Sequence, residues 1–200
     1  MIRSLVRQAA TSVRALLVFT LVLGVGYTAL VLGLGQAIAP AQANGSLVTV
    51  DGVPVGSTLI GQSFTDASGA PLPEWFQSRP SAAGDGYDGG ASSGTNLGPE
   101  NDDLVAAISE RRASIAAFEG VDPASIPVDA LTASASGLDP HISPAYALLQ
   151  VPRVADARAL SEQEVRELVV SMIEPRLLGV VGEPRVNVLA LNLALDALEP

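Results

Sequence analysis

Residues 15–39 run for 25 positions without a formal charge, directly after Arg3, Arg7 and Arg14. Rising about 1.5 Å per residue, a helix over this stretch is roughly 36 Å long, enough to cross a hydrocarbon core of about 30 Å with some tilt. Its leucine, valine, isoleucine and phenylalanine side chains favour insertion by about 5 kcal/mol together, before the opposing cost of Thr20, Thr28 and Gln36. Every charge on the N-terminal flank is an arginine, and the first acidic residue is Asp51. The positive-inside rule then puts residues 1–14 in the cytoplasm, a transmembrane anchor at 15–39 and an extracytoplasmic domain at 40–200.

A cleaved signal peptide is the competing reading, because Ala41-Gln42-Ala43 has the small-x-small form of a cleavage site. A secretory apolar region is about 7 to 15 residues, so the length of this run favours a retained anchor. Gly24, Gly26, Ala29, Gly33 and Gly35 leave a smooth face on which a second membrane helix can pack, although glycine is common in membrane spans in any case.

Composition narrows what the rest does. From residue 40 onward eight arginines stand against twenty-one carboxylates, a formal net charge of −13, so nucleic acid and anionic lipid are poor partners and cations better ones. There is no cysteine and no lysine. Thiolate chemistry, a lysine phosphate loop and Schiff-base chemistry are therefore excluded, and a lone histidine does not make a protein metal cage.

The residues after the anchor read as an α+β domain of about three helices and a small sheet. Short β-branched pieces at 47–50 and 57–60, broken by Gly52, Pro54 and Gly61, suggest strands. From residue 66 to 100 glycine, serine, proline and aspartate predict a long irregular segment, with Trp75, Phe76, Arg79 and Pro80 pinning part of it. A helix follows from Pro99 or Asn101 to about Phe118, carrying Leu104, Val105, Ile108, Ile115 and Phe118 on one face and stopped by Gly120. Ser143-Pro144 opens a second that runs to Arg158 with a kink at Pro152. The third begins with a capping box, Ser161 and Glu164, ahead of Val165, Leu168, Val169, Met172 and Ile173. The tail from Arg185 to Leu198 fits two readings, since Leu189, Leu191, Leu193 and Leu195 alternate as in a strand while Leu191, Leu195 and Leu198 also suit a helix; a strand ending in a turn of helix is the expectation.

Chemistry is best sought at residues 129–143, which hold Thr132, Ser134, Ser136, Asp139 and the sole histidine, His141. A membrane-tethered hydrolase would use Ser136 as nucleophile, His141 as base and Asp139 or Asp129 as the orienting acid. No G-x-S-x-G elbow is present, and Asp139-Pro140 with Ser143-Pro144 equally suits a turn and a helix cap.

Seven blocks carry a resemblance across nearly the whole chain: AQANGSL at 41–47, GSTLIGQSF at 56–64, RPSA at 79–82, SG-x-NL at 93–97, TASASGLDPHISP at 132–144, QVPRVADAR at 150–158 and VNVLALNLALD at 186–196. In these blocks the chain resembles the C subunit of the Kdp high-affinity potassium-transporting ATPase. It departs from that pattern at Thr95, where serine is usual, and in an extra run at 71–75. The resemblance implies a bacterial inner- or plasma-membrane protein that keeps its anchor. It also implies a non-catalytic subunit, needed for assembly beside a potassium-translocating polytopic subunit, a P-type ATPase catalytic subunit and a small single-span subunit.

Members of that family are proposed to act as a catalytic chaperone that raises the ATP affinity of the catalytic subunit. The implied cofactors are none held firmly, with ATP met only through the complex and potassium as the transported ion. An extracytoplasmic domain does not reach a cytoplasmic nucleotide directly, so such an effect is a coupling free energy, typically about 1 to 3 kcal/mol. The alternative is a cap that concentrates cations over the potassium entrance, which screening limits to roughly 8 Å at physiological salt. Arg79, Gly137, Asp139, Gln150 and Arg153 fall in or beside the matching blocks, and none is required for an apolar core. They are the candidates for subunit contact or regulation.

Overall fold

A computed structural model describes residues 2–198 and divides the chain into two compact units, Met1–Leu47 and Val48–Pro200. The first is a 37-residue apolar helix, Ile2–Ile38, followed by a short coda. It comprises α1 (Ile2–Phe19), wider π-helical turns over Thr20–Tyr27, and α2 (Thr28–Ile38). Arg3, Arg7 and Arg14 fall within about 40° of one another at 100° per residue, giving α1 a basic stripe. Gly24 and Gly26 lie in the π segment. The α-helical spacing counted from the sequence therefore applies only to Ala29, Gly33 and Gly35 on α2.

The first unit runs on to Leu47 because α3 (Pro40–Ala43) folds back on the end of the apolar helix. Asn44 Nδ2 donates to Gln36 Oε1 at 3.0 Å and Gln36 Nε2 returns a bond to Asn44 Oδ1 at 3.1 Å.

From Leu47 the chain enters a hairpin of β1 (Leu47–Val50) and β2 (Val53–Ser57). Both turn residues, Asp51 and Gly52, have positive φ, as a two-residue hairpin turn requires. The second strand thus lies four residues earlier than expected: Asp-Gly sets the turn, and residues 57–60 form only a bridge between Ser57 and Ile60. No helix or strand follows until α4 (Asp102–Glu119), so the long irregular segment is confirmed among the described residues.

Asn101 caps α4 by accepting from the Asp103 and Leu104 amides, and Gly120 ends it in the left-handed conformation. Only one edge of α4 leans on the core, through Ile108, Ile115 and Ala116, while Val105 is exposed. After a 3₁₀ turn (Pro123–Ser125) come α5 (Val128–Leu131), β3 (His141–Ile142) and α6 (Pro144–Arg158). The Ser143 hydroxyl caps α6, and the helix continues through Pro152. The expected capping box of Ser161 and Glu164 opens α7 (Glu162–Ser171). Last are β4 (Val186–Asn187) and α8 (Val188–Asp196), with β4 antiparallel to β3 in the register His141 to Asn187 and Ile142 to Val186.

The tail is therefore helical where alternating leucines suggested a strand. Val188, Leu191, Asn192 and Leu195 are the deeply buried face, an i, i+3, i+4, i+7 pattern, and the Asn187 side chain caps the helix by accepting from the Ala190 amide. The core lies between α6, α7 and α8: Tyr146, Val151, Val154, Val165, Val169, Leu191 and Leu195, with Val186 from β4. Phe76, from the irregular segment, is fully buried among them. Its burial alone is worth roughly 1.5 to 3 kcal/mol.

Candidate functional site

Two polar seams fasten the irregular segment to this core. In the first, side chains take the place of a neighbouring strand along residues 73–77. Asn192 on α8 accepts from the Phe76 amide at 2.9 Å and donates to the Phe76 carbonyl at 3.0 Å. Gln150 on α6 accepts from the Gln77 amide at 2.6 Å and donates to the Gln77 carbonyl at 3.2 Å. A carboxamide has a donor end and an acceptor end, so each residue satisfies both backbone groups of its partner.

Two arginines of α6 complete this seam. Arg153 donates to the carbonyls of Pro73 and Trp75, to Gln150 Oε1 at 2.8 Å and to Glu119 Oε2 at 2.9 Å, and its guanidinium lies 4.5 Å from the Phe118 ring centroid. Arg158 donates to the Glu74 carbonyl at 2.7 Å and to Asp196 at 2.8 Å, and covers the Trp75 ring at 4.3 Å. Only a planar guanidinium combines forked donation with stacking in this way. The extra run at 71–75 is thus held by residues of the 150–158 block. The Arg153–Glu119 pair is nearly dry, with side chains 8% and 1% exposed. Burial raises the Glu119 pKa above its ordinary value, and the hydrogen bond and charge of Arg153 only partly oppose it.

The second seam holds residues 132–140. Arg79 Nη1 meets Asp139 Oδ2 at 2.9 Å, while Asp139 Oδ1 accepts from the His141 amide at 3.0 Å and lies 3.3 Å from His141 Nδ1. Burial works to raise the Asp139 pKa, but the His141 hydrogen bonds and the Arg79 charge outweigh it and hold it below the ordinary value. Ser81 Oγ donates to the Gly137 carbonyl at 2.6 Å and accepts from the Tyr87 amide at 2.9 Å. Tyr87 Oη donates to the Arg79 carbonyl at 2.8 Å, and burial pushes its pKa up to about 12. Gly137 has φ +69°, and a Cβ there would come within 2.7 Å of both Ala83 N and Ser93 O. Only glycine lets these three segments meet.

Between the seams a cleft of about 590 Å³ opens along α4, lined by Phe64, Arg79, Tyr87, Arg111, Ile115 and Phe118 among others. Arg111 is partly committed, donating to the Leu131 carbonyl at 3.0 Å. The buried Arg79 Nε has no hydrogen-bond partner among the described residues.

The five candidate residues thus divide into Arg79, Gly137 and Asp139 in one seam and Gln150 and Arg153 in the other. None of the five is part of the apolar cluster, but Gln150 is wholly buried and the Arg153 side chain nearly so, both as polar partners of the irregular segment. Glu119, Arg158 and Asn192 were missed, although the last two lie inside the matching blocks at 150–158 and 186–196. The Asp139 contact to His141 Nδ1 is the one an orienting acid would make, but among the described residues no hydrogen bond joins His141 to Ser136, whose Oγ accepts from the Leu138 amide at 3.1 Å and sits 3.5 Å from Ser134 Oγ. Among the described residues, no cluster of three histidine or acidic side chains suits a metal.

The blocks that build both seams also decide the kinship, since residues 9–197 match the family model KdpC, the K+-transporting ATPase c chain. The chain belongs to the KdpC family. The potassium-transporting ATPase KdpC subunit of Kineococcus radiotolerans is 55% identical over 197 residues, covering 98% of this chain and 97% of that protein. That of Beijerinckia indica is 53% identical over 186 residues, 93% and 91% of the two chains. That of Methylococcus capsulatus is 54% identical over 187 residues, 92% and 94%. The KdpC kinship therefore spans the anchor helix from residue 9, both seams and α8.

Proposed function

We propose that this KdpC-family chain is an accessory, non-catalytic subunit of a potassium-transporting P-type ATPase complex, in which it works beside a potassium-translocating subunit, the ATP-hydrolysing subunit and a small single-span subunit. The observation that carries this is the match over residues 9–197, which includes every residue of the two seams. The chain is anchored by Ile2–Ile38 with its N-terminus in the cytoplasm, a sense favoured by the arginine stripe of α1. The acidic domain then lies outside the cytoplasm.

Gln150 is an obvious residue through which to seek a nucleotide effect, and its surroundings favour an indirect one. Its amide is spent on Gln77 and Arg153, and the side chain has no exposed surface. A nucleotide would have to displace residues 73–77 to reach it. Any rise in ATP affinity caused by this chain is therefore a coupling between subunits, carried by a domain that the seams keep rigid. In this reading ATP is met through the complex with the catalytic subunit, and potassium is the cargo of that complex.

The test is a C-terminally tagged chain expressed in potassium-starved cells and purified in mild detergent, with bound proteins and potassium-stimulated ATPase activity assayed together. Co-purification with a P-type ATPase and a polytopic partner is the expected result. A chain that purifies alone while both partners are expressed overturns the reading.

A further inference from the structure

Between α7 and β4 the chain leaves the core as an arm. Residues 174–185 are all exposed, yet their backbone is ordered as a two-rung hairpin: Glu174 and Arg185 exchange both backbone hydrogen bonds, at 2.8 and 3.1 Å, and the Leu177 amide donates to Val181 at 2.9 Å. Its roots are fixed, with Val186 fully buried and Met172 and Ile173 packed on the core. The tip carries Leu177, Leu178, Val180 and Val181, which are 68%, 87%, 78% and 56% exposed. Leu178 also has φ +54°, a conformation that costs a leucine about 1 kcal/mol and that glycine would adopt freely. A side chain that is strained, apolar and unpacked within its own chain is explained by a surface outside it.

Three observations identify that surface. Arg176 pairs with Glu183 and Arg185 with Glu174, so the arm is electrically neutral on a domain that carries −13. It leaves no charge unpaired when buried and suits an uncharged partner. The tip offers on the order of a few hundred Å² of apolar surface, well below the roughly 800 Å² per partner of a stable interface. It is too small to hold two copies of this chain together, and adequate as one anchor in an assembly already joined through the membrane. Residues 174–185 contain no aromatic residue and both arginines are paired with glutamates, so the arm lacks the aromatic anchors and the free basic face that typically hold a segment in a bilayer interface.

We propose that the 174–185 hairpin is a docking arm whose Leu178 and Val180 seat in an uncharged apolar recess on the extracytoplasmic surface of another subunit of the complex. This rests on the subunit reading above.

The experiment introduces Leu178→Asp and Val180→Asp together into the tagged full chain, co-expressed with the other subunits. Partner recovery falls at least tenfold, while Leu178→Met retains it and the emission of Trp75, the sole tryptophan, is unchanged. Wild-type recovery by the double variant overturns the arm, whereas a wild-type chain without partners overturns the subunit reading instead. A polarity-sensitive dye on Val180→Cys, in this cysteine-free chain, decides independently of the folding of the aspartate variants. A blue shift only when the other subunits are present supports the arm. A blue shift in zwitterionic vesicles holding this chain alone, or one that grows with its concentration, assigns the tip to lipid or to a second copy and overturns it.

Discussion

Gln150 binds Gln77 as one strand binds another: its carboxamide takes the Gln77 amide at 2.6 Å and gives to the Gln77 carbonyl at 3.2 Å, across 73 residues of chain. With Asn192 on Phe76, it turns a glycine- and proline-rich stretch into part of the core without a sheet.

Gln150→Ala leaves two backbone groups without partners, each costing about 1 to 3 kcal/mol when buried. Destabilisation of about 2 to 4 kcal/mol is expected, measured as a lower denaturant midpoint of Trp75 fluorescence in the detergent-solubilised full chain. If ATP affinity of the complex also changes, Asn192→Ala changes it in the same direction, because both act on one strap. An effect of Gln150→Ala with none from Asn192→Ala points to direct nucleotide contact instead.

Arg153→Ala is more severe, because it strands the Glu119 carboxylate at 1% exposure. Removing one partner of a buried pair costs about 3 to 5 kcal/mol. Burial already holds the Glu119 pKa above 4.5, so the folded state binds this proton more tightly than the unfolded chain. Without Arg153 the Glu119 pKa rises further, so the deficit of Arg153→Ala shrinks as pH falls from the variant's pKa toward the wild-type one, and adding Glu119→Gln recovers part of it at pH 7. Melting curves across pH 4 to 8 read both effects.

Asp139 titrates in the opposite sense. Its folded pKa lies below 3.8, so its contribution is complete above that value and is lost as pH falls through the lower, folded one. The Arg79–Asp139 pair is partly exposed, at 23% and 29%, which limits it to about 1 kcal/mol. Asp139→Asn is then modestly less stable than wild type at pH 7, and the two converge below the carboxylate range. Amide exchange at Ser93 and Ser134, which bond to the second seam, follows the loss locally.

What was legible in the sequence is what repeats or caps locally. The apolar N-terminal helix, the Asn101 and Ser161 caps, the Gly120 stop and the irregular segment each depend on residues within a few positions. Alternating leucines at 189–195 misled, because the Asn187 cap and the buried Asn192 reveal the helix only when polar residues are counted with its face. The Asp51-Gly52 turn was a local signal that set the register of the first hairpin. The seams were legible only as blocks. That Gln150 answers Gln77, or Arg158 answers Glu74 across 84 residues, is fixed by the packing of α6 and α8, and no periodicity records it.

The proposed topology rests on the basic stripe of α1 ahead of the apolar run. In intact cells with a permeable outer layer, Val128→Cys, 72% exposed, reacts with a membrane-impermeant maleimide, while Gln8→Cys reacts only after lysis. The reverse pattern inverts the assigned orientation.

The central claim is that the domain beyond the anchor is a required part of the potassium-transporting complex. Potassium-stimulated ATPase activity is measured in membranes that hold the other subunits but lack this chain, then after adding back either the full chain or residues 1–47 alone. The account predicts that the full chain restores the activity and the anchor does not. Full activity without the chain, or restoration by the anchor alone, contradicts it.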